Sequence, residues 1–108
     1  PPDSPAREPL AVSGKNPLGG AVVANLNPAL ALELGLDEES GVVVMEAARG
    51  SIASRLVRPG DIIAGIGQFE VKTTADVKRV LQDMEAKPQN AWALTVVRNG
   101  QAQQIVIR

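Results

Sequence analysis

Histidine and cysteine are absent from these 108 residues. Without histidine, no Ser-His-Asp triad, Cys-His pair or imidazole-bound metal can be assembled from this chain. Without cysteine, disulfides, thiolate zinc sites and thiol nucleophiles are excluded, and the redox compartment is left open. Aromatics amount to 2%, Phe69 and Trp92 alone, so the core must be built from Val, Ile, Leu and Ala. No run of about 18 apolar residues exists, so no segment reads as a membrane-spanning helix. No signal peptide is visible. A net charge of -1 and a pI of about 5.4 leave no basic footprint of the kind that nucleic acid requires. The charge is uneven along the chain: residues 1–50 carry three basic and seven acidic residues, and 51–108 carry eight and five.

What is present is enough apolar residue, 44%, for one folded domain. The chain opens on Pro1-Pro2 with no initiator Met, which predicts a segment of a longer protein. Residues 1–16 hold four prolines among Asp, Ser, Arg and Glu, and read as an extended proline-rich linker. Within it Leu10 and Val12 alternate weakly, as an edge strand would. The domain proper is expected over 17–108.

Ala21 to Leu26 reads as a short strand. Asn27-Pro28 and Gly35 sign the two ends of a short helix, by capping, by a fixed φ at the first helical position and by a left-handed stop. Val42 to Met45 is a continuous apolar run, as in a strand buried on both faces. Ser51 caps a one- or two-turn helix through Leu56, Pro59-Gly60-Asp61 is a tight turn, and Asp61 to Ile66 is the next strand. Gly67 to Val71 forms a small hairpin or bulge. Thr74 caps the longest helix, whose stripe is Val77, Val80, Leu81 and Met84, and Lys87-Pro88 ends it. Ala91 to Arg98 and Gln101 to Arg108 are strands joined by the hairpin signal Asn99-Gly100. This order predicts a small α+β domain, a partly open sandwich or barrel with a helix covering one opening.

Several of these residues together carry a resemblance. Val42-Val43-Val44-Met45, Gly50-Ser51-Ile52-Ala53-Ser54, Leu56 through Ile63 with its Pro-Gly-Asp turn, and the helix Ala75 to Leu81 resemble a PDZ domain. Asn16 to Leu26, followed by Pro28-Ala29 and Glu33-Leu34-Gly35-Leu36, is similar to the second PDZ domain of Do-like, HtrA-type periplasmic serine proteases. The resemblance covers about residues 15–108. It implies five to six strands with two or three helices in the permuted bacterial topology.

It also implies a site. PDZ domains bind by strand addition: an extended peptide pairs with an exposed edge strand and a Gly-rich loop holds its terminal carboxylate. The resemblance places the loop at Leu18, Gly19, Gly20 and Ala21, and the edge at Ala21, Val22, Val23 and Ala24. The opposite wall is Thr74, Lys78 and Leu81 of the long helix. That edge is expected to stay unpaired beside the helix. The loop departs from the family pattern, since Gly19-Gly20-Ala21 lacks the usual hydrophobic-Gly-hydrophobic ending, which weakens C-terminal capture. Plainer readings stand beside these. A Gly pair is commonly a turn before a strand, Lys78 a solvated lysine, and Trp92 either a packed anchor or a contact residue. Asp37-Glu38-Glu39 reads as a solvated turn, and Gly65-Ile66-Gly67 lacks the third glycine of a dinucleotide fingerprint.

The resemblance therefore implies a non-catalytic interaction module of a serine endopeptidase in the periplasm or cell envelope. Its expected partners are unfolded or C-terminal polypeptide segments and neighbouring protease subunits or domains. Nucleic acid, direct membrane insertion, metal and cofactor are not expected. The competing expectation is an assembly module that contacts neighbouring subunits and binds little peptide, in keeping with the poor pocket end at Ala21.

Overall fold

A run of valines fixes the centre of the sheet. In the computed structural model, which describes residues 2–86 and 92–107, Val42, Val43 and Val44 are each fully buried. Successive side chains on a strand point to opposite faces, so a strand with three consecutive buried valines has protein on both sides. Val42 and Val44 join one hydrophobic cluster, and Val43 and Met45 join another.

The elements in chain order are β1 (Leu10–Ala11), β2 (Ala21–Asn25), α1 (Pro28–Leu34), β3 (Val42–Ala47), a 3-10 turn (Ala53–Arg55), β4 (Ile62–Ile66), β5 (Phe69–Glu70), α2 (Thr74–Glu85), β6 (Trp92–Arg98) and β7 (Gln101–Ile107). Among the described residues they form one antiparallel sheet of seven strands in the order β1-β2-β3-β4-β6-β7, with β5 paired to β4. The fold is the expected PDZ-like open sheet with helices. The two-residue strands β1 and β5 account for the extra members. β3 bulges at Met45, since Val22 faces Glu46 while Val23 faces Val44.

α1 closes one face and α2 the other. Asn27 caps α1 by accepting from the Leu30 N–H at 2.7 Å, and Gly35 ends it at φ 69°. Leu30 and Ala31 then pack on Ala24, Val43 and Ile62. α2 buries Val77, Val80, Leu81 and Met84 on Val23, Val44, Ile63 and Leu94. Each such side chain contributes about 1.5–3 kcal/mol relative to exposure. Trp92 is half-buried and packs against this second cluster as an anchor. The β6–β7 turn has Asn99 at φ 54° and Gly100 at φ 77°, the left-handed pair that Asn-Gly supplies.

Three expectations change. The helix cap at α2 is Thr73, whose hydroxyl accepts from the Asp76 N–H at 3.2 Å, and Thr74 is the first helical residue. The short helix capped by Ser51 shrinks to the single 3-10 turn, with the Ser51 hydroxyl accepting from the Ser54 N–H at 3.2 Å. The edge at Ala21–Ala24 is not unpaired: β1 lies on β2 with Leu10 opposite Val23 and Ala11 opposite Val22. The helix stop at Lys87-Pro88 and the strand start at Ala91 fall outside the described residues.

Candidate functional site

The groove between β2 and α2 is where the two expected walls meet, and residues 7–13 of the same chain run through it. Val22 and Val23 form one side; Lys78 and Leu81, with Gln82 and Glu85, form the other. Thr74 stands at the end of the groove where Glu8 enters. The loop Leu18–Ala21 closes the far end.

The leading segment runs antiparallel to β2. At one end the Asn25 N–H donates to the Arg7 carbonyl at 2.7 Å. At the other the Val12 N–H donates to the Ala21 carbonyl at 2.8 Å, and the Gly20 N–H donates to the Val12 carbonyl at 2.9 Å. Leu10 and Val12 pack into the main core, while Pro9, Ala11 and Ser13 face solvent. The two aliphatic residues lie two apart because a strand alternates its faces.

Buried polar groups need partners, and here most of them find those partners in the leading segment. The buried polar side chains among the described residues are Asn16, Asn25, Asn27, Asp61 and Thr74. The Asn25 amide donates to the Ala6 carbonyl at 3.0 Å and to Glu8 at 3.3 Å, and its oxygen accepts from the Thr74 N–H at 2.8 Å. The Thr74 hydroxyl, released from capping, donates to the Glu8 carbonyl at 2.9 Å. The Asn27 amide donates to Asp3 at 2.6 Å and to the Pro5 carbonyl at 2.9 Å, while its oxygen caps α1. The Asn16 amide donates to the Ser13 carbonyl at 2.9 Å. Asp61 is the exception: it holds Arg98 in two bonds of 3.0 and 2.7 Å at the opposite end of the sheet.

Charge adds an anchor at the entrance. Arg7 bonds both Asp3 and Glu33 of α1. The Glu33 and then the Asp3 carboxylate raise the Arg7 guanidinium well above its ordinary value, and Arg7 followed by Asn27 lowers Asp3. On α2 the Lys72 N–H, then Arg79 and Thr73, lower Asp76.

The loop expected to offer bare N–H groups is internally bonded. Leu18 N–H donates to the Asn16 side-chain oxygen at 3.0 Å, Gly19 N–H to the Asn16 carbonyl at 2.9 Å, and Ala21 N–H to the Leu18 carbonyl at 2.9 Å. Leu18 itself is fully buried in the core. The glycines have steric reasons of their own. A Cβ on Gly19 would stand 2.3 Å from the Gly14 carbonyl oxygen, and one on Gly20, at φ 94°, would stand 2.2 Å from the Ser51 Cβ. A larger, shallow depression lies over β4 and β5 beside exposed Phe69, and none of the buried polar side chains lines it.

Sequence reasoning missed Arg7, Glu8, Asn16, Asn25, Gln82 and Glu85. One signal was available: Asn25 follows Ala-Val-Val-Ala and precedes Leu26, and an asparagine inside an aliphatic strand demands a buried partner.

An edge strand and a facing helix that hold an extended chain between them define a PDZ-like domain. Comparison with known proteins narrows this. The chain is 35% identical over 75 residues to a probable periplasmic serine endoprotease, DegP-like, of Ectopseudomonas mendocina (strain ymp); the match covers 68% of this chain and 15% of that protein. It superposes on the structure of the HtrA-type protease AlgW with decapeptide at a TM-score of 0.67 and 33% identity, over 81% of this chain and 26% of that one. No family model matches the sequence. The chain belongs to the PDZ domains of HtrA-type proteases and spans a small part of the length of these relatives.

Proposed function

We propose that this domain is a non-catalytic peptide-binding module of a Do-like serine endopeptidase, which takes extended polypeptide segments by strand addition to β2 and so feeds or regulates the protease. One observation carries the reading: residues 7–12 already lie on β2, antiparallel and backed by α2, as an added strand would. The AlgW structure with its decapeptide supports it, since 81% of this chain is similar to part of that protein. The relatives are serine proteases, and the DegP-like one is named as periplasmic, which supports a protease parent in the periplasm or cell envelope. The chain has no histidine, so the catalysis belongs to another part of such a parent. The site is the edge Ala21–Ala24 with Thr74, Lys78 and Leu81, closed by Leu18–Gly20.

The test is a titration of the intact 1–108 chain with extended peptides, followed by amide shifts. Shifts at 21–25 and 74–81, and at residues 7–13 that lie on β2, are expected. Unmoved signals at millimolar peptide, for every peptide tried, would overturn the reading.

A second reading, an assembly module that contacts neighbouring subunits, is favoured by the closed rim at β1. Its test is the oligomeric state of the full parent protein with and without residues 17–108. An unchanged state counts against it.

A further inference from the structure

We infer that this groove selects an internal extended segment bearing aliphatic residues two positions apart, and that residues 7–13 are its resident occupant, which a foreign segment must displace. The inference rests on the peptide-binding reading and narrows it to a ligand class.

The number of free donors decides between an internal segment and a chain terminus. A carboxylate carries two oxygens, about four lone-pair sites and a full charge, and is held by several converging N–H groups. The loop presents its occupant with one donor, the Gly20 N–H, and the Val12 carbonyl takes it at 2.9 Å. The N–H groups of Leu18, Gly19 and Ala21 are spent on Asn16 and Leu18. One donor matches one peptide carbonyl.

The charges are arranged the same way. Glu85 reaches the loop end of the groove, where its carboxylate accepts from the Asn16 amide at 3.3 Å. Lys78, exposed on the same helix, stands seven residues earlier, about 10 Å along the axis towards the Glu8 end. A carboxylate terminus at Val12's position would meet a carboxylate and leave the lysine behind. A continuing chain meets neither difficulty. Gly14 turns away at φ 97°, and its carbonyl fills the space that Gly19 leaves by having no side chain. The two glycines make room for a main chain that goes on.

The occupant is held but imperfect, which makes it displaceable. Two of its residues pair in register with β2. Glu8 lies at φ 39°, an uncommon conformation for a non-glycine residue, and Pro9 brings no N–H. A regular foreign strand with aliphatic residues in place of Leu10 and Val12 makes the same contacts without either defect. The resident segment competes by being tethered: if it fills the groove nine-tenths of the time, apparent affinity for a foreign segment falls about tenfold.

The experiment uses the intact chain, with two probes. One is an acetylated and amidated peptide copying residues 7–13. The other copies residues 7–12 and ends on its valine with a free carboxylate. The blocked peptide is expected to bind Leu10→Asp at least about fivefold more tightly than the unmodified chain, with Leu10→Ala in between. The blocked peptide is expected to bind each variant at least about threefold more tightly than the carboxylate peptide, because the loop offers one free donor and a terminal carboxylate there stands beside Glu85. Should Leu10→Asp not fold, Leu10→Ala keeps every main-chain bond and gives the smaller change in the same direction. Binding of the carboxylate peptide as tightly as the blocked one, or of the carboxylate peptide alone, overturns the internal-segment inference and leaves the peptide-binding reading standing. Equal affinity of the blocked peptide for all three proteins overturns the resident competitor. Failure of both peptides on every protein overturns the peptide-binding reading as well.

Discussion

The sheet has two rims, and they are finished differently. At one, the two-residue strand β1 is tied down by side chains: Asn25, Asn27, Asn16 and Thr74 all reach the main chain of residues 5–13. At the other, β7 is seven residues long and, among the described residues, is bonded along its length to β6 alone. Gln101, Ala102, Gln103 and Gln104 of β7 are exposed, and Val106 is 54% exposed. The short strand is specified by buried polar partners and by two core aliphatics. The long strand is specified by main-chain pairing and a tight Asn-Gly turn. Strand length is therefore a poor guide to how firmly a rim is occupied. Buried hydrogen-bond partners are a better one, because an unsatisfied buried donor costs about 1–3 kcal/mol.

Substitutions at matched positions on the two rims should respond very differently. Gly20→Ala forces a side chain into φ 94° and onto Ser51, and should lower unfolding stability by about 3 kcal/mol or more in urea melts. Asn25→Ala removes the ties to Ala6 and Glu8 and strands the buried Thr74 N–H, for a loss of about 2 kcal/mol by the same measurement. Gly100→Ala, in the β7 turn at φ 77° with open space around it, should cost about 1 kcal/mol. Equal losses for Gly20→Ala and Gly100→Ala would erase the contrast.

Acid should loosen the occupied rim selectively. The Asp3 carboxyl is held below its ordinary value of 3.8 by Arg7 and Asn27. A depressed carboxyl contributes stability above that ordinary value and loses it as pH falls through the lowered one. The Asn27 side-chain amide signal should therefore move with a midpoint below pH 3.8, while Asn99 in the β7 turn stays still. Asp3→Asn should abolish the Asn27 response, which separates it from the titration of Asp76. The smallest effect is expected at Gln103→Ala on the exposed strand, within about 0.5 kcal/mol of the unmodified chain.

Most of the frame is readable from local chemistry. Three consecutive valines require a strand covered on both faces, Asn27-Pro28 and Gly35 bound a helix, and Asn99-Gly100 closes a hairpin, each from a residue's own conformational or burial preference. The pair of walls at Ala21–Ala24 and Thr74–Leu81 is reached through family resemblance. The occupant of the groove is not legible in this way. Prolines at 5 and 9 give the leader the composition of a linker, two residues are too few to show a strand period, and its ties run from carbonyls that every sequence has to asparagines up to tens of positions away. The displaced cap follows from the same limit. Thr73 and Thr74 are interchangeable as caps locally, and only the Glu8 carbonyl, which needs a hydroxyl from Thr74, separates them.

The direction in which the leader lies on β2 has a mechanical consequence. Its upstream end is tied to Asn27 through Asp3 and Pro5, and its other end is fixed by the reversal at Gly14. Tension applied ahead of Asp3 loads the Asn27 contacts first, then Asn25, then Leu10 and Val12, so the strand peels one bond at a time at low force. A pull along the axis of β2 would shear the same bonds together and meet far greater resistance.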